Sequence, residues 1–159
     1  MTGAVVDTAV LSNFARVRRA QLLQQAFPDI ATPHAVVEEL EQGERLGYVP
    51  ATDWSWLKIV ILDASEEALA GKLAEKLGLG ESACLAVAST RALTVLTDDQ
   101  DARRMAKTLG LNVSGTLGVL ARLVSSKAID LADADSLLGT MIQQGYRSPV
   151  RSLRELGVR

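Results

Sequence analysis

The chain has 159 residues, of which 48% are hydrophobic and 23% are charged, and this length predicts one soluble domain spanning residues 1–159. Its single cysteine, Cys84, excludes an internal disulfide, and with only one histidine, His34, zinc sites and histidine-based nucleophilic sites are difficult to build. The net charge of −2 excludes nucleic-acid binding through a basic overall charge. Because the sequence has neither a membrane-spanning run nor a signal-peptide pattern, we expect a cytoplasmic protein with no membrane partner.

Strands and helices are predicted to alternate along the chain. Residues 4–6 are branched and apolar and predict a buried strand that ends at Asp7. Helical spacing of apolar residues over 10–27 predicts two helical turns or a helical hairpin. The next helix is predicted to have Thr32 as its N-cap and Pro33 as its first residue, and to end near residue 43. The elements predicted beyond it are a loop over 44–56, a strand over 57–62, a helix capped by Ser65 and ended by Gly78, a helix over 81–90, a strand over 93–97, a helix over 101–109, a strand over 112–114, helices over 117–124 and 133–144, and a basic C-terminal tail.

Two of the predicted strands end in aspartates. Asp7 follows the first strand, and Asp98 and Asp99 follow the strand over 93–97. Strands separated by helices predict an α/β fold with a central parallel sheet flanked by helices, because parallel strands need crossover connections. Ligands bind such sheets outside the carboxyl ends of the strands, so we expect these acids to meet at one edge.

Further acids extend this set: Glu39 lies in the helix after Pro33, Glu81 at a helix start, and Asp101 two residues after Asp99. Two carboxylates about 4 Å apart repel each other by about 4 kcal/mol at an effective dielectric constant near 20, so a cluster needs cations or protonation. Oxygen ligands without Cys or His favour Mg²⁺ or Mn²⁺, and such ions catalyse phosphodiester hydrolysis. Each acid also has a structural alternative, since aspartates cap helices and glutamates occupy solvated helix faces and helix N-termini.

Four short motifs carry these acids in order along nearly the whole chain. They are VVDTAVL at 5–11, PHAVVEEL at 33–40, GESA at 80–83 and VLTDDQDAR at 95–103. Together with LGLNVSGTLG at 109–118, they resemble the acidic motifs of the PIN domain, the family that includes the VapC toxins of bacterial toxin–antitoxin pairs. The resemblance implies a three-layer fold and a metal-dependent endoribonuclease.

The resemblance also implies roles for individual residues. The catalytic acids that it implies are Asp7, Glu39, Glu81 and Asp99. The ligands that it implies for Mg²⁺ or Mn²⁺ are Asp7, Glu81, Asp99 and Asp101. The supporting residues that it implies are the hydroxyls of Thr8 and Thr97 and the additional acid Asp98. Many relatives have aspartate where this chain has Glu81.

A ribonuclease with an acidic centre needs cations nearby to hold phosphates. The predicted RNA-binding residues are Arg103, Arg104 and Arg16. The resemblance further implies a homodimer and, for a toxin, inhibition by a cognate antitoxin. Two alternatives stay open: a non-catalytic PIN-fold module that binds RNA or protein, and an aspartyl phosphotransferase with Asp7 as phosphate acceptor. Such phosphotransferases commonly carry a second aspartate at the position where this chain has Ala9.

Overall fold

A computed structural model describes residues 3–159, so residues 1 and 2 of the predicted domain lie outside the described residues. Within this range, strands and helices alternate along the chain, and no helix is long and apolar enough to cross a bilayer. The elements are β1 Ala4–Val6, α1 Thr8–Arg16, α2 Leu22–Ala26, β2 Ile30–Pro33, α3 His34–Arg45, β3 Lys58–Val60, α4 Ala64–Leu73, α5 Leu79–Arg91, β4 Thr94–Leu96, α6 Gln100–Thr108, β5 Val113–Ser114, α7 Thr116–Ser125, α8 Leu131–Gln143 and a 3₁₀ helix Leu153–Leu156.

The five strands form one parallel sheet in the order β3-β2-β1-β4-β5. Strand β1 is central, and its Val5 pairs with Ala31 of β2 on one side and with Val95 of β4 on the other. The chain first builds outward from β1 through β2 to β3 and then crosses to β4 and β5. The predicted α/β fold with a central parallel sheet is therefore confirmed, and the boundary between β1 and β4 is the point where the direction of winding changes.

Two groups of helices flank this sheet. Helix α5 contacts β1, β2 and β4, and helices α3, α4 and α6 pack against it. Helices α1, α2, α7 and α8 pack against one another, and α7 also contacts β5. The branched strand residues and the apolar helix faces meet in one core, in which Leu11, Leu85, Leu96 and Leu120 are fully buried. This burial is the main force that holds the strand ends in place.

The prediction of Thr32 as a helix N-cap is wrong, because this residue belongs to strand β2. Ile30 and Ala31 are buried, and β2 satisfies its backbone by pairing with both β1 and β3. The Thr32 hydroxyl donates to the Val6 carbonyl at 2.8 Å instead of capping a helix. Pro33 is the N-cap of α3, so the helix begins one residue later than the dipeptide predicts.

The predicted boundaries of α4 also differ from those in the structure. Asp63, and not Ser65, is the N-cap: its Oδ1 accepts from the Glu66 amide at 2.8 Å, and Glu66 Oε1 accepts from the Asp63 amide at 2.9 Å. This reciprocal pair satisfies two amides at once, which the Ser65 hydroxyl does not. The helix ends at Leu73, well before Gly78, which instead is the N-cap of α5.

The basic C-terminal tail is anchored to α8. Asp135 accepts the Leu153 amide on Oδ1 at 2.8 Å and the Ser152 hydroxyl on Oδ2 at 2.9 Å, and Leu153 is fully buried. A capping box between Ser152 and Glu155 begins the short 3₁₀ helix, an element that the sequence pattern did not indicate.

Candidate active site

The four predicted catalytic acids line one cavity of about 460 Å³ at the carboxyl ends of β1 and β4. Asp7 directly follows β1, Asp99 follows β4, Glu39 comes from α3 and Glu81 from the first turn of α5. Because β1 and β4 are neighbours in the sheet, the fold brings together residues that are far apart in the chain. The prediction that strand-end acids meet at one sheet edge therefore agrees with the cavity.

Asp7 is almost completely buried at the base of this cavity, with 2% of its surface exposed. Its Oδ1 accepts from the Thr8 amide at 2.7 Å, and its Oδ2 accepts from the Thr97 hydroxyl at 3.2 Å. The pKa of Asp7 is raised to about 7, first by burial and then by the negative charges of Glu81 and Glu39, which outweigh the lowering by these two hydrogen bonds. Within residues 3–159, no hydrogen bond or ion pair joins this carboxylate to a cationic side chain.

Glu39 lies next to Asp7, where the Thr8 hydroxyl binds its carboxylate and Gly80 leaves room for it. The Thr8 hydroxyl donates to Glu39 Oε2 at 2.8 Å, so Thr8 contacts both acids. A Cβ added to Gly80 would overlap the Glu39 carboxylate and lie 3.3 Å from Asp7 Oδ1, which explains glycine at the start of α5. The preceding Glu38 instead pairs with His34 at 3.1 Å on the exposed face of α3.

The carboxylate of Glu81 bends back toward the N-terminus of its own helix. It accepts from its own backbone amide, and its Oε2 occupies the space that a Cβ on Gly78 would fill. Burial raises the pKa of Glu81, and the charges of Asp99 and Glu39 raise it as well. Glu81 is therefore electrostatically coupled to the other three acids of the cavity.

Asp99 is both a cavity residue and the N-cap of α6. Its Oδ2 accepts from the Ala102 amide at 2.8 Å. Its own amide donates to the Thr97 hydroxyl at 3.2 Å, and that hydroxyl in turn donates to Asp7. Thr97 thus connects the two strand-end aspartates by hydrogen bonds, and its orienting role stays a prediction.

The two remaining predicted acids lie in different surroundings. Asp98 lines the cavity and accepts from the Thr116 amide at 2.9 Å, the Thr116 hydroxyl at 2.6 Å and the Asn13 side chain at 3.4 Å, so it anchors α7. Asp101 is exposed, pairs with Arg104 and does not line the cavity. The structure therefore does not bring Asp101 to the other predicted metal ligands.

The three predicted RNA-binding arginines are also separated. Arg16 lines the acidic cavity while its Nε donates to the Tyr48 carbonyl at 3.0 Å. Arg103 lines an adjoining cavity, and its Nη1 donates to the Thr97 carbonyl at 3.0 Å. Arg104 lies outside both cavities on the exposed face of α6.

The acidic cavity includes four further polar residues that the sequence analysis did not identify. They are Ser12, Asn13, Tyr146 and Arg147. Ser12 and Asn13 are roughly one and a half helical turns after Asp7, so helix periodicity is the signal that points to them. No sequence signal places Tyr146 and Arg147 here, because they follow α8 and reach the cavity only through tertiary packing.

The donor set suits Mg²⁺ or Mn²⁺, because the acids offer only oxygen ligands and their mutual repulsion favours a bound cation. Within residues 3–159, however, no three Asp, Glu, His or Cys side chains already form a complete metal site. Binding therefore requires the carboxylates to draw closer together. Asp7 and Asp99 accept from the amides of other residues, whereas Glu81 accepts from its own amide on a longer side chain, so Glu81 can turn toward a cation without losing a contact between residues.

Comparison with known proteins identifies the family of the chain. The family model DUF3368, described as a PIN domain, matches residues 3–157. The chain belongs to the PIN-domain family. Among solved structures, the crystal structure of PAE2754 from Pyrobaculum aerophilum resembles this PIN domain with a TM-score of 0.56 and 18% identity, covering 78% of this chain and 98% of that one. At this identity the likeness concerns the fold alone, and a comparison with curated proteins finds no match.

The family that the ordered acidic motifs predicted is thus confirmed for this PIN domain, as is its parallel-sheet fold. The family points to a nuclease-type fold. The narrower likeness to VapC toxins stays a prediction, as do the metal, the RNA substrate and the partners.

Proposed function

We propose that this PIN domain is a Mg²⁺- or Mn²⁺-dependent endoribonuclease that hydrolyses RNA phosphodiester bonds. The observation that carries the proposal is the convergence of Asp7, Glu39, Glu81 and Asp99 on one cavity, where burial and then the negative charges of Glu81 and Glu39 raise the pKa of Asp7 to about 7. Membership of the PIN-domain family supports nuclease chemistry at this site.

Asp7, Glu81 and Asp99 are the residues that would hold the divalent cation. When bound, such a cation lowers the pKa of water and stabilises negative charge on phosphate oxygens. Thr97 orients Asp7 and Asp99, and Thr8 holds Glu39 next to Asp7. These hydrogen bonds fix the carboxylates before substrate arrives, which reduces the reorganisation that the reaction requires.

Arg16 lies at the cavity wall, where its guanidinium can meet the phosphate backbone of a strand entering the site. In-line attack by water on the phosphorus with departure of the 3′ oxygen leaves a 5′-phosphate and a 3′-hydroxyl. These end groups distinguish this reaction from cleavage by an attacking 2′-hydroxyl, which leaves a cyclic phosphate.

Cleavage of end-labelled total tRNA and rRNA by the purified chain tests the proposal, with Mg²⁺, Mn²⁺ or EDTA. Asp99→Asn is a suitable control, because asparagine is as good an N-cap as aspartate and preserves the start of α6. We expect discrete fragments with 5′-phosphates that disappear in EDTA and in Asp99→Asn. Equal cleavage by both proteins would contradict the proposal. Metal binding or RNA binding without cleavage would favour a non-catalytic module.

We further propose that the chain is a VapC-like toxin that forms a homodimer and is inhibited by a cognate antitoxin. The open acidic cavity supports this mode of inhibition, since a basic side chain inserted among Asp7, Glu39 and Asp99 would neutralise the charges that hold the cation. Expression of the chain should arrest growth, and co-expression of the product of the neighbouring reading frame should relieve the arrest. Sedimentation of the purified chain measures its oligomeric state.

A further inference from the structure

A second cavity of about 260 Å³ adjoins the acidic cavity near the carboxyl ends of β4 and β5. Asp98, Tyr146 and Arg147 line both cavities. A strand that passes through the acidic cavity therefore meets the second cavity next. Gly115 keeps this region open, because a Cβ there would overlap the Asp98 carboxylate and lie 3.0 Å from Arg103 Nη1.

The second cavity offers positive charge to a ligand. Arg103 is fixed through Nη1 to the Thr97 carbonyl at 3.0 Å. Arg147 is exposed and makes no side-chain hydrogen bond or ion pair to the described part of the chain. The acid of the cavity, Asp98, is already occupied by the amide and hydroxyl of Thr116. Two guanidinium groups therefore face a space whose carboxylate is engaged elsewhere.

Tyr146 lines both cavities, and a hydrogen bond holds its backbone in position. Gly145, with φ of +109°, makes the turn after α8, and the Tyr146 amide donates to the Met141 carbonyl at 3.0 Å. The ring is half-buried against the core, and burial raises the pKa of its hydroxyl. A half-buried neutral aromatic ring next to two arginines is the combination on which single-stranded nucleic acids stack their bases and place their phosphates.

We propose that this second cavity binds the nucleotide next to the scissile phosphate of single-stranded RNA, with Arg103 and Arg147 at its phosphate and Tyr146 at its base. The proposal rests on the proposed ribonuclease function, because it places the scissile phosphate among the acids. An acidic peptide would satisfy the arginines but would not use the aromatic ring or the continuity of the two cavities, so the structure favours RNA.

Binding of a short fluorescein-labelled single-stranded RNA to the full chain tests this subsite. Fluorescence anisotropy is measured over a series of salt concentrations with Mg²⁺, in the Asp99→Asn background so that the RNA stays intact. Arg147→Gln should weaken binding about five- to tenfold and lower the slope of log affinity against log salt by about 0.7, the value for one lost phosphate contact on a single strand. Arg154→Gln removes the same charge from the same tail outside both cavities and should leave the slope unchanged.

The ring is tested by two substitutions of Tyr146 in the same assay. Tyr146→Phe should retain the affinity, whereas Tyr146→Leu should weaken it at least about fivefold, because it fills apolar volume without a stacking face. Melting temperatures of all variants verify folding. Three results would each contradict the subsite. They are equal salt slopes for Arg147→Gln and Arg154→Gln, equal RNA affinity of Tyr146→Leu and wild type, and binding of polyglutamate but not of RNA.

Cleavage kinetics separate this subsite from the proposed function. In the otherwise wild-type chain, Arg147→Gln should raise KM for RNA and leave kcat unchanged, because a contact to a flanking nucleotide is made equally in the ground state and the transition state. If wild type cleaves no RNA while the binding differences hold, the ribonuclease proposal fails and the subsite stands. If wild type cleaves and the variants bind and cleave as wild type does, the subsite fails alone.

Discussion

Replacing Asp7 with asparagine is expected to stabilise the metal-free PIN domain at high pH. Burial, followed by the charge of Glu81, raises the pKa of Asp7 from its ordinary value of 3.8 to about 7. Since one pKa unit corresponds to about 1.4 kcal/mol, ionised Asp7 lowers the free energy of unfolding by about 4 kcal/mol. An asparagine amide placed where Asp7 accepts from Thr97 costs about 2 kcal/mol, so the expected net gain is about 2 kcal/mol.

The pH dependence of this gain follows from proton linkage. Below about pH 3.8, Asp7 is protonated in the folded and the unfolded chain, so the folded state pays no penalty for it there. As the pH rises from about 3.8 to about 7, the unfolded chain releases the proton first, and the folded state loses stability through this range. The advantage of Asp7→Asn should therefore be absent near pH 4 and complete near pH 8. Glu81 titrates in both proteins, so its effect largely cancels in the difference.

Urea unfolding in EDTA at both pH values measures this difference. Asp29→Asn, the same substitution at an exposed position outside the cavity, should change stability by less than about 0.5 kcal/mol at either pH. Mn²⁺ at 100 times its dissociation constant should stabilise wild type by about 2.7 kcal/mol and Asp7→Asn far less. An Asp7→Asn protein that is less stable than wild type in EDTA, equally near pH 4 and near pH 8, would refute the reasoning.

Three further variants test other parts of the structure. Thr97→Val removes the hydroxyl that connects the two strand-end aspartates and should weaken Mn²⁺ binding about 10- to 100-fold by calorimetric titration; an unchanged affinity would rule out an orienting role. Glu39→Gln should lower kcat for RNA cleavage at least about tenfold, whereas Glu38→Gln, its neighbour on the exposed helix face, should leave kcat unchanged; equal rates for the two variants would remove Glu39 from the site. Glu66→Gln should destabilise the fold by about 2 kcal/mol in urea unfolding, because it removes the charge of a buried carboxylate that pairs with the partly exposed Arg91. Hydrogen bonds from Arg91 lower the pKa of Glu66 to about 2, so this stability is present above about pH 4.5 and lost as the pH falls toward 2, and a variant whose deficit is as large near pH 2 as at pH 7 would contradict it.

The sequence predicted the sheet well where burial alone decides the structure. Both strands have a buried apolar pair, Val5-Val6 in β1 and Val95-Leu96 in β4, and aspartate follows directly in the first case and after Thr97 in the second, so the strands and their acids follow from local pattern. Strand β2 was missed because Thr32 and Pro33 are also a strong helix-start pattern. The pairing of β2 with β1 and β3 outweighs that local preference, and no local pattern contains this information.

The same distinction separates the predicted and the missed parts of the site. Asp7 and Asp99 were predictable because strand ends point to one edge of a parallel sheet. The sequence did not decide whether these aspartates cap helices or line a site, and in the structure each does both. Tyr146 and Arg147 were not predictable as cavity residues, because the packing of α8 against α1 and α7 decides where the chain emerges. Asp101 satisfies the motif spacing, yet helix geometry directs it to solvent.

The acids at the β1–β4 boundary are proposed to hold a divalent cation. Anomalous diffraction from crystals grown with Mn²⁺ tests this proposal most directly, because manganese is located independently of any assumed ligand. We predict an anomalous peak in the acidic cavity, in contact with the carboxylates of Asp7 and Asp99, with the Glu81 side chain turned toward it. A cavity without a peak at saturating Mn²⁺, or a peak only at the exposed pair of Asp101 and Arg104, would contradict the account.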